Sequence, residues 1–141
     1  MPRASQTVHA SCVAIDGKGV LILGPSGSGK SSLALSLMAY GARLVADDRT
    51  DLYVQGDRLF ATCRPALRGL IEARGLGILN ADAVDSAEVV MAVDMGSLET
   101  DRLPPRRSVS FLERTVPLVQ AQQTAHFPAA LLHYLKAGRQ S

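Results

Sequence analysis

The stretch Gly24-Pro25-Ser26-Gly27-Ser28-Gly29-Lys30-Ser31 has the spacing of a phosphate-binding loop: Gly, four residues, then Gly-Lys-Ser. Gly27 and Gly29 let the backbone curl until successive N–H groups converge, and a helix starting there adds its positive end. Such a nest suits the oxygens of a diphosphate or triphosphate. Lys30 is a compact cation for the β- and γ-phosphates, and the Ser31 hydroxyl is a Mg²⁺ ligand. A second group of residues lies at Asp47-Asp48, where a short apolar run closes on two acids. One carboxylate suits a Mg²⁺ shell, and the other suits the proton of an attacking hydroxyl. Either of Asp47 and Asp48 could be the metal ligand, the other then being the base. An exposed Asp-Asp-Arg turn has the same composition, but the loop upstream favours chemistry. A third group is Ile71–Asn80, where Glu72 and Arg74 precede Gly75 and Gly77. Glu72 could complete a metal site and Arg74 could hold a phosphoryl oxygen, although an acid and a base two apart also describe a strand's exposed pair.

These groups need positioning elements. Val20-Leu21-Ile22-Leu23 reads as a buried strand feeding the loop, and Ser31–Tyr40 as a helix capped by Gly41. Ala42–Ala46 reads as a strand that a right-handed crossover sets parallel to Val20–Leu23, bringing Asp47 and Asp48 to the loop. Upstream, residues 1–7 read as a loose start. His9–Ile15 reads as a strand, turned back at Asp16-Gly17-Lys18-Gly19 to pair with Val20–Leu23. That pairing carries His9 alongside Leu23, where a catalytic role and an ordinary surface or core role both remain open. Downstream, a hairpin turns at Gln55-Gly56-Asp57, and Cys63–Leu70 reads as a loop or short helix. Glu88–Asp94 is a core strand and residues 96–107 a loop bearing Arg102, Arg106 and Arg107. Ser108–Val119 forms a further hairpin, and Ala129–Ala137 a terminal helix. A basic loop of that kind is either solvated or meets an acidic or phosphorylated partner.

Composition narrows the classes. With 141 residues, 47% apolar and 20% charged, the chain reads as one globular domain over residues 1–141. A formal net charge of +2 and the absence of Trp argue against nucleic acid. No run is long enough for a membrane span, and no signal peptide is evident. Cys12 and Cys63 lack metal or redox spacing, so they read as free thiols of a cytoplasmic protein.

On the phosphate loop, Leu44-Val45-Ala46-Asp47-Asp48 and the Glu72-Ala73-Arg74-Gly75-Leu76-Gly77 segment, the chain from about His9 to Pro117 resembles the catalytic domain of HPr kinase/phosphorylase. The resemblance implies an α/β P-loop domain similar to phosphoenolpyruvate carboxykinase, a central mixed sheet with flanking helices. It implies ATP and Mg²⁺ as cofactors, with Gly24 through Ser31 on the nucleotide phosphates. Lys30 is counted as catalytic, and Ser31 and Glu72 as metal ligands. Asp48 matches the general base, His9 an active-site histidine and Arg102 a catalytic arginine. The implied partner is an HPr-type phosphocarrier protein, phosphorylated on serine, and the implied assembly is a homo-oligomer, a hexamer in the family. The chain departs from the family pattern in three ways. It lacks the family's N-terminal domain, so it looks like the short, single-domain form. Its C-terminal helices are shortened. The family's Arg-Pro-Gly-Arg-Asn segment, tied to dephosphorylation, is replaced by Leu118–Ala125, which leaves the reverse reaction open. Two alternatives share the phosphate loop: a small-metabolite kinase and a nucleotide-sensing module without catalysis.

Overall fold

The structure is a computed structural model that describes residues 5–140. Strands β1 (Ser5–Val8), β2 (Ala10–Ile15) and β3 (Lys18–Leu23) lead into helix α1 (Lys30–Ala39) and strand β4 (Arg43–Ala46). A hairpin follows, β5 (Thr50–Gln55) and β6 (Arg58–Thr62), then a 3₁₀ turn at Pro65–Leu67. Next come a small hairpin, β7 (Leu70–Ala73) and β8 (Gly77–Asn80), and the long strand β9 (Ser86–Leu98). The hairpin β10 (Arg107–Phe111) and β11 (Arg114–Ala121) and helix α2 (Phe127–Ala137) end the chain. The result is a mixed α/β architecture: a nine-stranded sheet with the path β1-β5-β6-β9-β3-β2-β4, β11 branching from β9, and two helices. β7 and β8 form a separate two-stranded sheet.

The central strands are buried on both faces, which is why they read as continuous apolar runs. Val20 and Ile22 of β3 pack with Leu33 and Leu37 of α1 and Leu131 of α2. Leu21, between them, points to the opposite face and packs with Val45, Leu52 and Ala92. Leu21 and Ile22 are both fully buried, and burying a side chain of that size is worth about 1.5–3 kcal/mol.

The register delivers the loop to its partners. β2 and β3 pair antiparallel, with Ala10 opposite Leu23, after a two-residue turn at Asp16-Gly17. β4 also pairs antiparallel with β2, with Cys12 opposite Ala46. The expected parallel relation of β4 to β3 therefore holds, with β2 inserted between them. β9 runs parallel to β3, with Leu23 opposite Asp94. One edge of the sheet thus gathers the end of β3, the end of β4 and the start of β2.

Three expectations change. Residues 5–7 are not a loose start: they belong to β1, an edge strand pairing with Thr50–Tyr53 of β5, while residues 1–4 lie outside the described residues. Ser-Gln-Thr carries no apolar signal, so its strand state depends wholly on that remote partner. The core strand at Glu88–Asp94 extends in both directions, to Ser86 and Leu98, because β6 pairs with its start and β11 with its end. The terminal helix begins earlier, at Phe127, since Pro128 is tolerated in a first turn.

Candidate active site

Between β3 and α1, residues Gly24–Gly29 curl into a loop, and the first α1 hydrogen bond runs from the Leu33 N–H to the Gly29 carbonyl at 3.0 Å. Gly29 has φ 99° and Gly24 φ 148°, conformations that side chains resist. A Cβ at Gly24 would stand 2.5 Å from Ser28 Oγ and 3.1 Å from Met95 Cβ, so the loop closes only around glycine. Ser28 Oγ is buried and has no hydrogen-bond partner among the described residues. Lys30, 5% exposed, donates from Nζ to the carbonyls of Gly24 at 2.9 Å and Pro25 at 3.1 Å. Its ammonium is held at the loop's mouth by neutral acceptors alone, a state that leaves the charge available to an anion.

A cavity of about 400 Å³ opens there. Gly27, Gly29, Lys30 and Ser31 line one side, and Asp47, Asp48, Glu72 and Arg74 the other. The two acids at the end of β4 are not equivalent. Asp47 accepts from Ser31 Oγ at 2.7 Å and Ser11 Oγ at 2.8 Å on one oxygen, and from the Glu72 N–H at 3.0 Å on the other. Both its oxygens are committed, so it ties α1, β2 and β7 together. Asp48 stands in the left-handed region, φ 66°, which Asp tolerates better than most residues. Its Oδ1 lies 2.6 Å from His9 Nε2, and its Oδ2 has no hydrogen bond among the described residues. The antiparallel pairing of β2 is what brings His9 to this acid.

Ser11 escaped sequence reasoning. It is fully buried on β2, donates to Asp47, and accepts the Asp48 N–H at 3.2 Å. One hydroxyl therefore sets both acids; in sequence it is only a polar residue within an apolar strand. Ser11→Ala removes a donor and an acceptor together, and is expected to lower folding stability by about 1–3 kcal/mol. Urea denaturation followed by circular dichroism checks this, and an unchanged midpoint would show that the acids hold their positions without it.

The remaining expected residues divide. Gly24, Pro25 and Ser28 shape the loop without lining the cavity, while Ser26 lines it. Arg102 is not brought to the cavity: it lies exposed in the loop after β9 and makes no hydrogen bond or ion pair among the described residues. That loop is clasped at its base by Glu99, which accepts from the N–H groups of Thr100 and Asp101 and from the Arg107 guanidinium. Burial alone would raise the Glu99 carboxyl, but those donors hold it below the ordinary carboxylate range. Burial raises the Cys63 thiol, reinforced by Asp51 and Asp47 and opposed by Arg68. Cys12, wholly enclosed, is pushed up to about 12, an inert structural thiol.

Among the described residues no three or more His, Cys, Asp or Glu side chains are placed so that they alone could hold a metal ion. The Ser31 hydroxyl with the Asp47 and Glu72 carboxylates is nonetheless a set of hard oxygen donors, the type that suits Mg²⁺ shared with phosphates. A glycine-curled loop at a helix start and an ammonium held by neutral carbonyls fit a phosphate group beside it.

The family model for the HPr Serine kinase C-terminal domain matches residues 3–98. The chain is 42% identical over 98 residues to HPr kinase/phosphorylase of Limosilactobacillus reuteri, covering 69% of this chain and 30% of that protein. It is 50% identical over 80 residues to the protein of the same name from Xylella fastidiosa, covering 56% and 25%. The chain thus spans a third or less of the length of these curated relatives. The solved structure of the Hpr(Ser) kinase/phosphatase from Coxiella burnetii superposes with a TM-score of 0.79 at 28% identity, covering 93% of this chain and 88% of that one.

Proposed function

Because the chain belongs to the HPr serine kinase family, we propose that it transfers the γ-phosphoryl group of ATP to a serine hydroxyl of an HPr-type phosphocarrier protein. What supports this reading is the difference between the acids: Asp47 accepts three hydrogen bonds that fix it beside Ser31 and Glu72, while Asp48 keeps one oxygen without a described partner at the cavity.

The loop amides and Lys30 bind and orient the phosphates. Ser31, Asp47 and Glu72 would hold Mg²⁺, whose charge offsets that of the phosphates. A serine hydroxyl is a poor nucleophile at neutral pH, so a base must take its proton as attack begins. Asp48 has the free oxygen for it, and His9 fixes the carboxylate's orientation through Oδ1. The serine O–H bond breaks toward Asp48, the serine oxygen bonds to phosphorus, and the bridging oxygen leaves with its electron pair on ADP. In the true reverse, an oxygen of the ADP β-phosphate bonds to the phosphorus of phosphoserine, and protonated Asp48 returns the proton to the serine oxygen as its bond to phosphorus breaks. Dephosphorylation by inorganic phosphate, which would yield pyrophosphate, stays open. Electrostatic stabilisation by Lys30 and the amides is the larger contribution, since the charge in transfer spreads over oxygens that they face.

Incubation with γ-labelled ATP, Mg²⁺ and a purified HPr-type phosphocarrier tests the proposal. Label is expected on a serine of the acceptor, and only with Mg²⁺ present. Label on a small metabolite instead, or tight ATP binding with no transfer to any acceptor, would overturn it.

A further inference from the structure

The cavity is lined by charged, hydroxyl-bearing and glycine residues. Lys30, Asp47, Asp48, Glu72 and Arg74 select phosphate, cation and hydroxyl, groups that a small molecule offers equally well. The selectivity for an acceptor therefore has to lie outside the cavity, on a surface continuous with its wall.

The β7–β8 hairpin supplies such a surface. Its register sets Glu72 opposite Ile78 and Ile71 opposite Leu79. Directly opposed residues of an antiparallel pair share a face, and their neighbours along each strand point the other way. Ile71, only 1% exposed, and Leu79 thus turn inward and join the core around α1. Glu72 and Ile78 turn outward together, and Glu72 lines the cavity. Ile78 is 64% exposed, and Leu76, at the hairpin's turn, is 81% exposed. A single exposed leucine is ordinary, but here two large aliphatic side chains share one hairpin with two residues of the cavity wall. The hairpin is also held in place. Ile71 anchors it in the core, Asp47 accepts its Glu72 N–H, and the Ala81 N–H closes its base on the Gly69 carbonyl at 2.8 Å.

We infer that Leu76 and Ile78 form the docking lip for the protein acceptor, taking an apolar patch that flanks its reactive serine. The inference rests on the kinase reading above and adds to it the chemistry by which the acceptor is chosen. A folded protein that delivers a hydroxyl to Asp48 must lie over the rim, and this hairpin is the wall of that rim carrying apolar surface. Water is expelled from both partners there, so the contact contributes to binding of the protein acceptor.

Steady-state kinetics of wild type and the Leu76→Ser/Ile78→Ser variant, with a purified HPr-type phosphocarrier as acceptor, test it. The acceptor KM is expected to rise at least about tenfold, with kcat at saturating acceptor and nucleotide affinity unchanged. Unchanged nucleotide affinity also reports an intact fold, and Ile78→Thr, which keeps a β-branched side chain in the strand, gives a second, milder variant. An acceptor KM equal to that of wild type would overturn the inference while leaving the kinase reading intact. Dissociation of an oligomer with no change in KM would overturn it as well, assigning the lip to a second copy of the chain. A wild-type protein that never phosphorylates the acceptor would instead take down the kinase reading itself, and the docking lip with it.

Discussion

Asp48→Asn is expected to lower the rate of serine phosphorylation by about 10²–10⁴ while ATP affinity stays at the wild-type value. The substitution is nearly isosteric, and asparagine tolerates the left-handed backbone found at this position, φ 66°. The amide oxygen can still meet His9 Nε2, and the backbone N–H can still reach Ser11 Oγ. What disappears is the Asp48 carboxylate oxygen that accepts no hydrogen bond from the described residues. Single-turnover transfer to a phosphocarrier, run beside equilibrium ATP binding, separates the two effects. Undiminished transfer would remove Asp48 from the role of base.

Lys30→Ala should damage both binding and turnover, with a turnover loss of about 10²–10³, the range seen when one preorganised donor to developing charge is deleted. Lys30 is buried, and its partners among the described residues are two carbonyls of its own loop. Moving from those carbonyls to a phosphate exchanges a neutral acceptor for an ionic one, and charge-assisted bonds are roughly twice as strong. Lys30→Arg is not expected to rescue, because a planar fork cannot replace a compact point charge in the space beside Gly24 and Pro25. Isothermal titration with ATP and a phosphorylation assay read the two losses separately. Normal ATP affinity in Lys30→Ala would contradict the identification of the phosphate loop.

How much of this was legible beforehand depends on the distance over which each element is determined. The loop, α1 and the acids after β4 are local: glycine spacing, a helix-forming run and a short apolar strand set them. The approach of His9 followed from one further step, the two-residue turn at Asp16-Gly17 and the antiparallel register it imposes. β1 was invisible because Ser5-Gln6-Thr7 becomes a strand only by pairing with β5, far along the chain. The part of Ser11 was hidden for the same reason, since its partners Asp47 and Asp48 arrive on another strand. Glu72 was noticed for its glycine-rich surroundings, but its pairing with Ile78, and so the apolar rim, needed the hairpin register. Arg102 shows the opposite case: resemblance put it among the catalytic residues, and the fold leaves it outside the cavity, on an exposed loop.

The long β9 strand has a consequence for how the domain is made. It pairs in succession with β6, β3 and β11, and its partnership with β3 joins Leu23 to Asp94. Parallel neighbours so distant in sequence must close a large loop before any of their contacts are formed, which makes for slow, cooperative assembly. On a ribosome, the strand that carries the phosphate loop would wait for β9 to emerge, with β3 presenting an unpaired edge in the meantime. The strand beneath the nucleotide pocket is therefore fully flanked only well after its defining motif has been synthesised.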